Sequence, residues 1–149
     1  MNNAPVGINI ARIKLMQERI FSGILKDMGI DAFNGPQGRI LFNLWTEDNI
    51  SISELSKETA LAKTTLTSMI DRLEAQGHIK RVQNPDDRRE IRVIINENTK
   101  ELQKPYNVAL AKMRKINYKG FTQEEITDFE EKLIRLLNNL CEYTEDEEK

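Results

Sequence analysis

Between Ser51 and Ile95 the sequence places two short helices almost end to end and follows them with two short strands, an order that leaves few folds open. Ser51-Ile52-Ser53-Glu54 has capping-box spacing: the serine hydroxyl accepts from the third-position amide and the glutamate reaches back. Ile50 and Leu55 supply a hydrophobic staple around it, and this helix is expected to end near Thr59-Ala60. A second helix is predicted from Ala62 to Gln76, with Gly77 as its stop. Two short helices joined by a tight turn make a helix-turn-helix. Ile79 to Val82 and Glu90 to Ile95 then read as strands around the polar, turn-forming stretch Gln83 to Asp87, with Arg88 and Arg89 just after it.

The flanks read as helices. Ile13, Met16, Ile20, Ile24 and Met28 recur at helical spacing in a first helix from about Ile8 to Met28, closed by Gly29. Asn34-Gly35-Pro36 marks a turn into a second helix through Ile40, Leu41, Leu44 and Trp45, which stops near Asp48-Asn49. Asn96 is positioned to cap a long helix carrying Leu102, Tyr106, Ala109, Leu110, Met113 and Ile116, which Pro105 either kinks or opens. After Gly120, Phe121 to Ile126 repeats the staple and capping box and opens a last helix lined by Phe129, Leu133, Leu136, Leu137 and Leu140. The fold class expected is mainly α with a small β-hairpin, in one domain over 1–149.

Composition narrows the function. One cysteine, Cys141, and one histidine, His78, offer no disulfide and no Cys/His metal set, so no cofactor or metal is expected. No nucleophile–base pair or phosphate-cradling glycine loop is spaced for catalysis, so the chain is not expected to be an enzyme. With no spanning apolar run or signal-peptide pattern, a cytoplasmic protein is expected. The net charge is −2, but it is unevenly spread. Residues 61–92 hold seven Lys/Arg against five Asp/Glu and residues 93–120 six against two, whereas 121–149 hold three against ten. A phosphate backbone senses that locally basic middle, not the total. The tail Glu145 to Glu148 reads as a solvated end, with competition for the basic surface as the alternative.

Within the Ala62–Gln76 helix, Ala62, Leu66, Met69, Ile70 and Leu73 share one stripe at 100° per residue. Thr64, Thr67, Ser68, Asp71 and Arg72 lie opposite, with Lys63 and Thr65 at the N-terminal flanks. Short hydroxyl side chains let a helix approach base edges closely, and its positive dipole end favours phosphate. An ordinary amphipathic surface helix has similar residues, and the hairpin separates the two readings. Lys80 and Arg81 lie at its base, Arg88 and Arg89 past its tip, and Arg92 on the returning strand. An arginine-bearing wing can follow the DNA backbone and insert one guanidinium into the minor groove. Asp87 is placed to orient those arginines through a carboxylate pair.

Leu55-Ser56 through Leu61, Asp71-Arg72-Leu73-Glu74, Gly77-His78-Ile79-Lys80-Arg81 and Asn84-Pro85-Asp86-Asp87-Arg88-Arg89 closely resemble the MarR (multiple antibiotic resistance regulator) family. The resemblance implies a winged helix-turn-helix lobe over 33–96 and helical dimerisation regions over 1–32 and 97–149. It further implies a homodimer that binds double-stranded DNA at a pseudo-palindromic operator, as a repressor or another kind of regulator. Arg89 would enter the minor groove, Asp87 would be its structural partner and Arg81 would contact the backbone. The DNA-binding set is then Lys63, Thr64, Thr65, Thr67, Ser68, Arg72, Arg81, Arg88 and Arg89. The competing reading is a winged-helix module for protein–protein contact, since one fold serves both uses.

The sequence also departs from the family pattern. Ser68 stands where many members carry an arginine, Ala62 where a capping serine is common, and Ile95-Asn96-Glu97-Asn98-Thr99 replaces Leu-Thr-x-x-Gly. The resemblance implies release from DNA by a small aromatic or phenolic compound, as in many members; Phe42, Trp45 and Tyr106 would line such a pocket here, or simply form core. Cys141 lies near the C-terminus and not near the first helices, where redox-sensing members of the family carry a reactive cysteine, which argues against a peroxide switch. His78 is read as a partly exposed turn residue.

Overall fold

The computed structural model describes residues 4–30, 33 and 35–149. The turn expected at Asn34 and the lobe boundary expected at residue 32 lie outside the described residues. Contacts gather the chain into two compact units, one through Met113 and one from Arg114 to Lys149.

In the first unit α1 (Val6–Asp27) is followed by α2 (Pro36–Thr46), β1 (Ile50–Ser51), α3 (Ile52–Thr59) and α4 (Lys63–Ala75). The strands β2 (Ile79–Asn84) and β3 (Asp87–Ile95), the single turn α5 (Glu97–Lys100) and α6 (Gln103–Asn117) come next, α6 running past the unit's end. Both halves of the α3 capping box form: Glu54 N donates to Ser51 Oγ at 3.1 Å and Ser51 N to Glu54 at 3.3 Å. Ala60 takes the left-handed region at φ 55° and begins the three-residue turn, Ala60 to Ala62, between α3 and α4. Leu25, Ile40, Leu41, Leu44, Leu55, Leu66, Ile70, Leu73, Ile79 and Val93 are fully buried and bind α2, α3, α4 and the sheet into one core. Each such side chain contributes about 1.5–3 kcal/mol relative to exposure.

Three findings differ from the sequence reading. The sheet has three antiparallel strands, ordered β1-β3-β2, because Ile50 and Ser51 pair with Val93 and Arg92. The helix expected from Asn96 is two pieces, α5 and α6, with Pro105 in the first turn of α6, where its missing N–H costs no helical bond. Asn96 is the N-cap of α5 by position, but its side chain makes no cap bond; Asn96 Nδ2 donates to the carbonyl of Gly77 at 2.5 Å and ties the end of β3 to the end of α4.

The second unit holds the end of α6 and α7 (Gln123–Glu147), opened by a complete capping box between Thr122 and Glu125. Tyr118, Phe121 and Phe129 meet edge to face. Beyond them α7 buries no residue fully and leaves Leu133, Leu137 and Leu140 exposed. In the first unit α1 does the same with Ile8, Ile13 and Met16, burying only Leu25 completely.

Candidate nucleic-acid interface

Leu66, Ile70 and Leu73 anchor α4 in the core, with Met69 half-buried beside them. Ala62 is the exposed N-cap, at the capping position read from the sequence and off the buried stripe, where the chain has already left helical geometry at ψ 145°. Its methyl cannot accept from the first-turn amides, and no side-chain cap bond forms there. The exposed face of α4 then carries Lys63, Thr64, Thr65, Thr67, Ser68, Asp71 and Arg72, as the pattern predicts. The Thr67 hydroxyl donates to the carbonyl of Lys63 at 2.9 Å, which fixes its rotamer and leaves its oxygen able to accept.

The β2–β3 hairpin turns more tightly than expected. Asn84 pairs with Asp87, so only Pro85 and Asp86 form the tip. The register jumps from Gln83 opposite Ile91 to Asn84 opposite Asp87, leaving Arg88, Arg89 and Glu90 without partners in β2. That irregularity pushes two arginines out of the ladder, as bulges beside functional surfaces commonly do. Asp86 N donates to Asn84 Oδ1 and Arg89 N to Asp87 Oδ1, both at 3.0 Å. Asp87 therefore holds the backbone of Arg89; the guanidinium pairing expected from sequence is not what it makes.

The arginines fall into two groups. Arg88 and Arg89 are exposed, and among the described residues neither enters an ion pair. Arg81 and Arg92 are committed inside the protein. Arg92 Nε donates to Asn49 Oδ1 at 2.9 Å, with further bonds to the Asn49 carbonyl and Glu90, and so ties β3 to the residue that precedes β1. Arg81 donates to both Asp71 and Glu74 of α4. Accepting from the Arg81 backbone and side chain holds the Glu74 carboxyl below the usual carboxylate range, and the same carboxylates raise Arg81 further. Sequence reasoning made Arg81 a backbone contact and gave Glu74 no role; only their meeting across the α4–β2 turn reveals the pairing.

A groove of about 310 Å³ runs between α3, α4 and the hairpin. Lys63, Thr67 and Arg89 line it together with Ser53 and Ser56 of α3, over an apolar floor of Ile52 and Ile91. The two α3 serines were not singled out from the sequence, though hydroxyls at the start of the first helix were there to read.

Phe42 and Trp45 lie on α2 and Tyr106 on α6. Trp45 and Tyr106 rings touch at 5.1 Å between centroids, Trp45 Nε1 donates to the Thr99 carbonyl at 3.0 Å, and Phe42 faces outward. His78 sits in the same cluster, edge-on to Phe33 and with Nδ1 3.0 Å from Thr99 Oγ1; burial lowers its pKa. Among the described residues no group of His, Cys, Asp and Glu is arranged to hold a metal ion, and no helix is long and apolar enough to cross a membrane.

The sequence profile of the MarR family matches residues 33–91, the stretch from the start of α2 to the wing. An uncharacterized HTH-type transcriptional regulator of Bacillus subtilis, YsmB, is 30% identical over 128 residues, covering 82% of this chain and 87% of the relative. Among solved structures, the transcriptional regulator SlyA superposes with a TM-score of 0.83 at 19% identity over 95% of this chain and 98% of its own. A cysteine-to-serine mutant of MarR from E. coli, complexed with operator DNA, gives 0.78 at 23% identity over 89% and 94%. The two solved structures are similar in fold.

Proposed function

The chain belongs to the MarR family of winged-helix transcriptional regulators, which are not enzymes, and on that premise we propose that it binds double-stranded DNA as a homodimeric repressor in the cytoplasm. In this reading α4 enters the major groove with Thr64, Thr65 and Ser68 toward the bases. Lys63 and Arg72 take phosphates, and the wing carries Arg88 and Arg89 to the neighbouring minor groove. The observation that supports it best is the grouping of cations with outward hydroxyls on one surface: Lys63, Thr67 and Arg89 share a groove, and among the described residues Arg88 and Arg89 beside the tip enter no ion pair. The chain commits its other two hairpin arginines to internal bonds and leaves these open.

The exposed apolar rows of α1 and α7 support the dimer, because monomers rarely leave such continuous apolar stripes in water. Two copies place two recognition helices on a two-fold related site, about 34–36 Å apart on one face of the duplex. Titration of the protein onto its own upstream DNA tests the reading: affinity should fall steeply with salt, and an unrelated duplex should bind more weakly. Equal, salt-insensitive binding to both would refute it. Sedimentation at micromolar concentration should give a dimer, and a stable monomer would contradict that part. Release by a small aromatic or phenolic compound is the finest part of the reading. The same titration repeated across a panel of such compounds tests it, and unchanged affinity throughout would remove it.

A further inference from the structure

We propose that Glu74, with Asp71, positions the wing by holding Arg81 as a strut, so that two acids on the DNA-facing helix promote DNA binding. The proposal rests on the DNA-binding reading above. It assigns Arg81 to the protein's own scaffold and not to a phosphate.

The geometry is specific. β2 is an edge strand, so one side of its backbone has no ladder partner. Glu74 Oε2 accepts the Arg81 backbone N–H at 2.9 Å, while Oε1 accepts from Arg81 Nε at 3.3 Å and from its terminal nitrogen at 3.0 Å. Asp71, one turn earlier on α4, accepts from that same terminal nitrogen. The planar fork of arginine therefore spans two carboxylates one helical turn apart, which a lysine cannot match. Between α4 and β2 the chain passes through Gly77 at φ 82°, where Asn96 also ties the end of β3 to the Gly77 carbonyl. The strut lies across that turn and sets the angle at which Arg88 and Arg89 leave the recognition helix. Both the Nε and one terminal nitrogen of Arg81 are taken up by these carboxylates.

Two mechanisms then predict opposite signs. If Asp71 and Glu74 were simply surface acids, removing their charge would lower repulsion with DNA and tighten binding. If they position the wing, the same substitutions weaken it. The assay is fluorescence anisotropy with a labelled duplex from the upstream region that the wild type binds. Glu74→Gln and Asp71→Asn are each expected to weaken binding by roughly three- to tenfold, from two loosened wings per dimer. Arg81→Lys should lose a similar factor although it keeps its charge. Glu124→Gln, an exposed acid on α7, should change affinity less than twofold. Tighter or unchanged binding by Glu74→Gln overturns the strut, as does full affinity in Arg81→Lys. Asp71 is exposed, so Asp71→Asn keeps the test available if Glu74→Gln fails to fold. A DNA-free readout separates the two proposals: hydrogen exchange at the Arg81 amide should quicken in Glu74→Gln. Unchanged exchange there refutes the strut even if the wild type binds no DNA, whereas loss of DNA binding by the wild type refutes only the regulator reading.

Discussion

Replacing Arg89 by alanine removes a cation that is exposed, lies in the unpaired bulge of β3, and makes no ion pair among the described residues. Because no internal bond is lost, the folded protein should melt as the wild type does, and the whole effect should appear in binding. Each neutralised phosphate contributes about −0.9 to the slope of log affinity against log salt. A dimer carries two copies, so the variant slope should be shallower by about 1.8. Between about 50 and 200 mM salt the concentration rises fourfold, and four raised to 1.8 is about 12. The wild type should thus lose about twelvefold more affinity than the variant across that range. Anisotropy titrations at four salt concentrations measure both slopes on one duplex. Arg114→Ala is the control, since Arg114 already pairs with Glu130 at 2.6 Å and lies outside the lobe. Parallel slopes for Arg89→Ala and wild type would refute the assignment of Arg89 to phosphate or minor groove. A halved difference, about 0.9, would point to one wing engaged per complex.

Gly38→Ala should destabilise the lobe by about 1–3 kcal/mol or more in urea unfolding, because the added methyl would lie 2.3 Å from the Phe33 carbonyl oxygen and 2.8 Å from the Tyr106 hydroxyl. An unchanged midpoint would mean that this close approach does not exist. Ala62→Ser supplies the missing cap of α4 and should stabilise by about 1 kcal/mol, seen as a raised melting temperature. His78 has its pKa lowered by burial, so the unfolded chain binds its proton more readily than the fold does. Its contribution is complete above the unfolded value of about 6.5 and is lost as pH falls through the lowered folded value. His78→Asn should therefore flatten the fall in stability below neutrality in denaturant titrations at several pH values; an equally steep fall would assign it to other groups.

Much of this architecture was legible because its signals are short-range. The capping boxes at Ser51/Glu54 and Thr122/Glu125 span four residues, and both form as read. Glycine stops at Gly29, Gly77 and Gly120 are confirmed by positive φ. The buried row Leu66, Ile70 and Leu73 follows from helical periodicity alone, as does the hydroxyl-rich face opposite it. The helix order, the hydroxyl-faced α4 and the charged hairpin were legible at this level, because each depends on neighbours within one or two turns.

The tertiary structure decided which polar group each arginine meets. Nothing local tells a guanidinium that its carboxylates lie across a helix–strand turn, as Asp71 and Glu74 do for Arg81, while the nearby Asp87 takes only the Arg89 backbone amide. The same holds for Arg92 with Asn49, 43 residues away, for β1 on β3, and for Asn96, which bonds Gly77 instead of capping α5. Those choices are made by the relative placement of whole elements, which the packed core imposes. The sequence by itself determined that the wing is rich in arginine; the fold determined that Arg81 and Arg92 are held while Arg88 and Arg89 enter no ion pair among the described residues, because only an assembled core brings Asp71, Glu74 and Asn49 within hydrogen-bond reach of the first two.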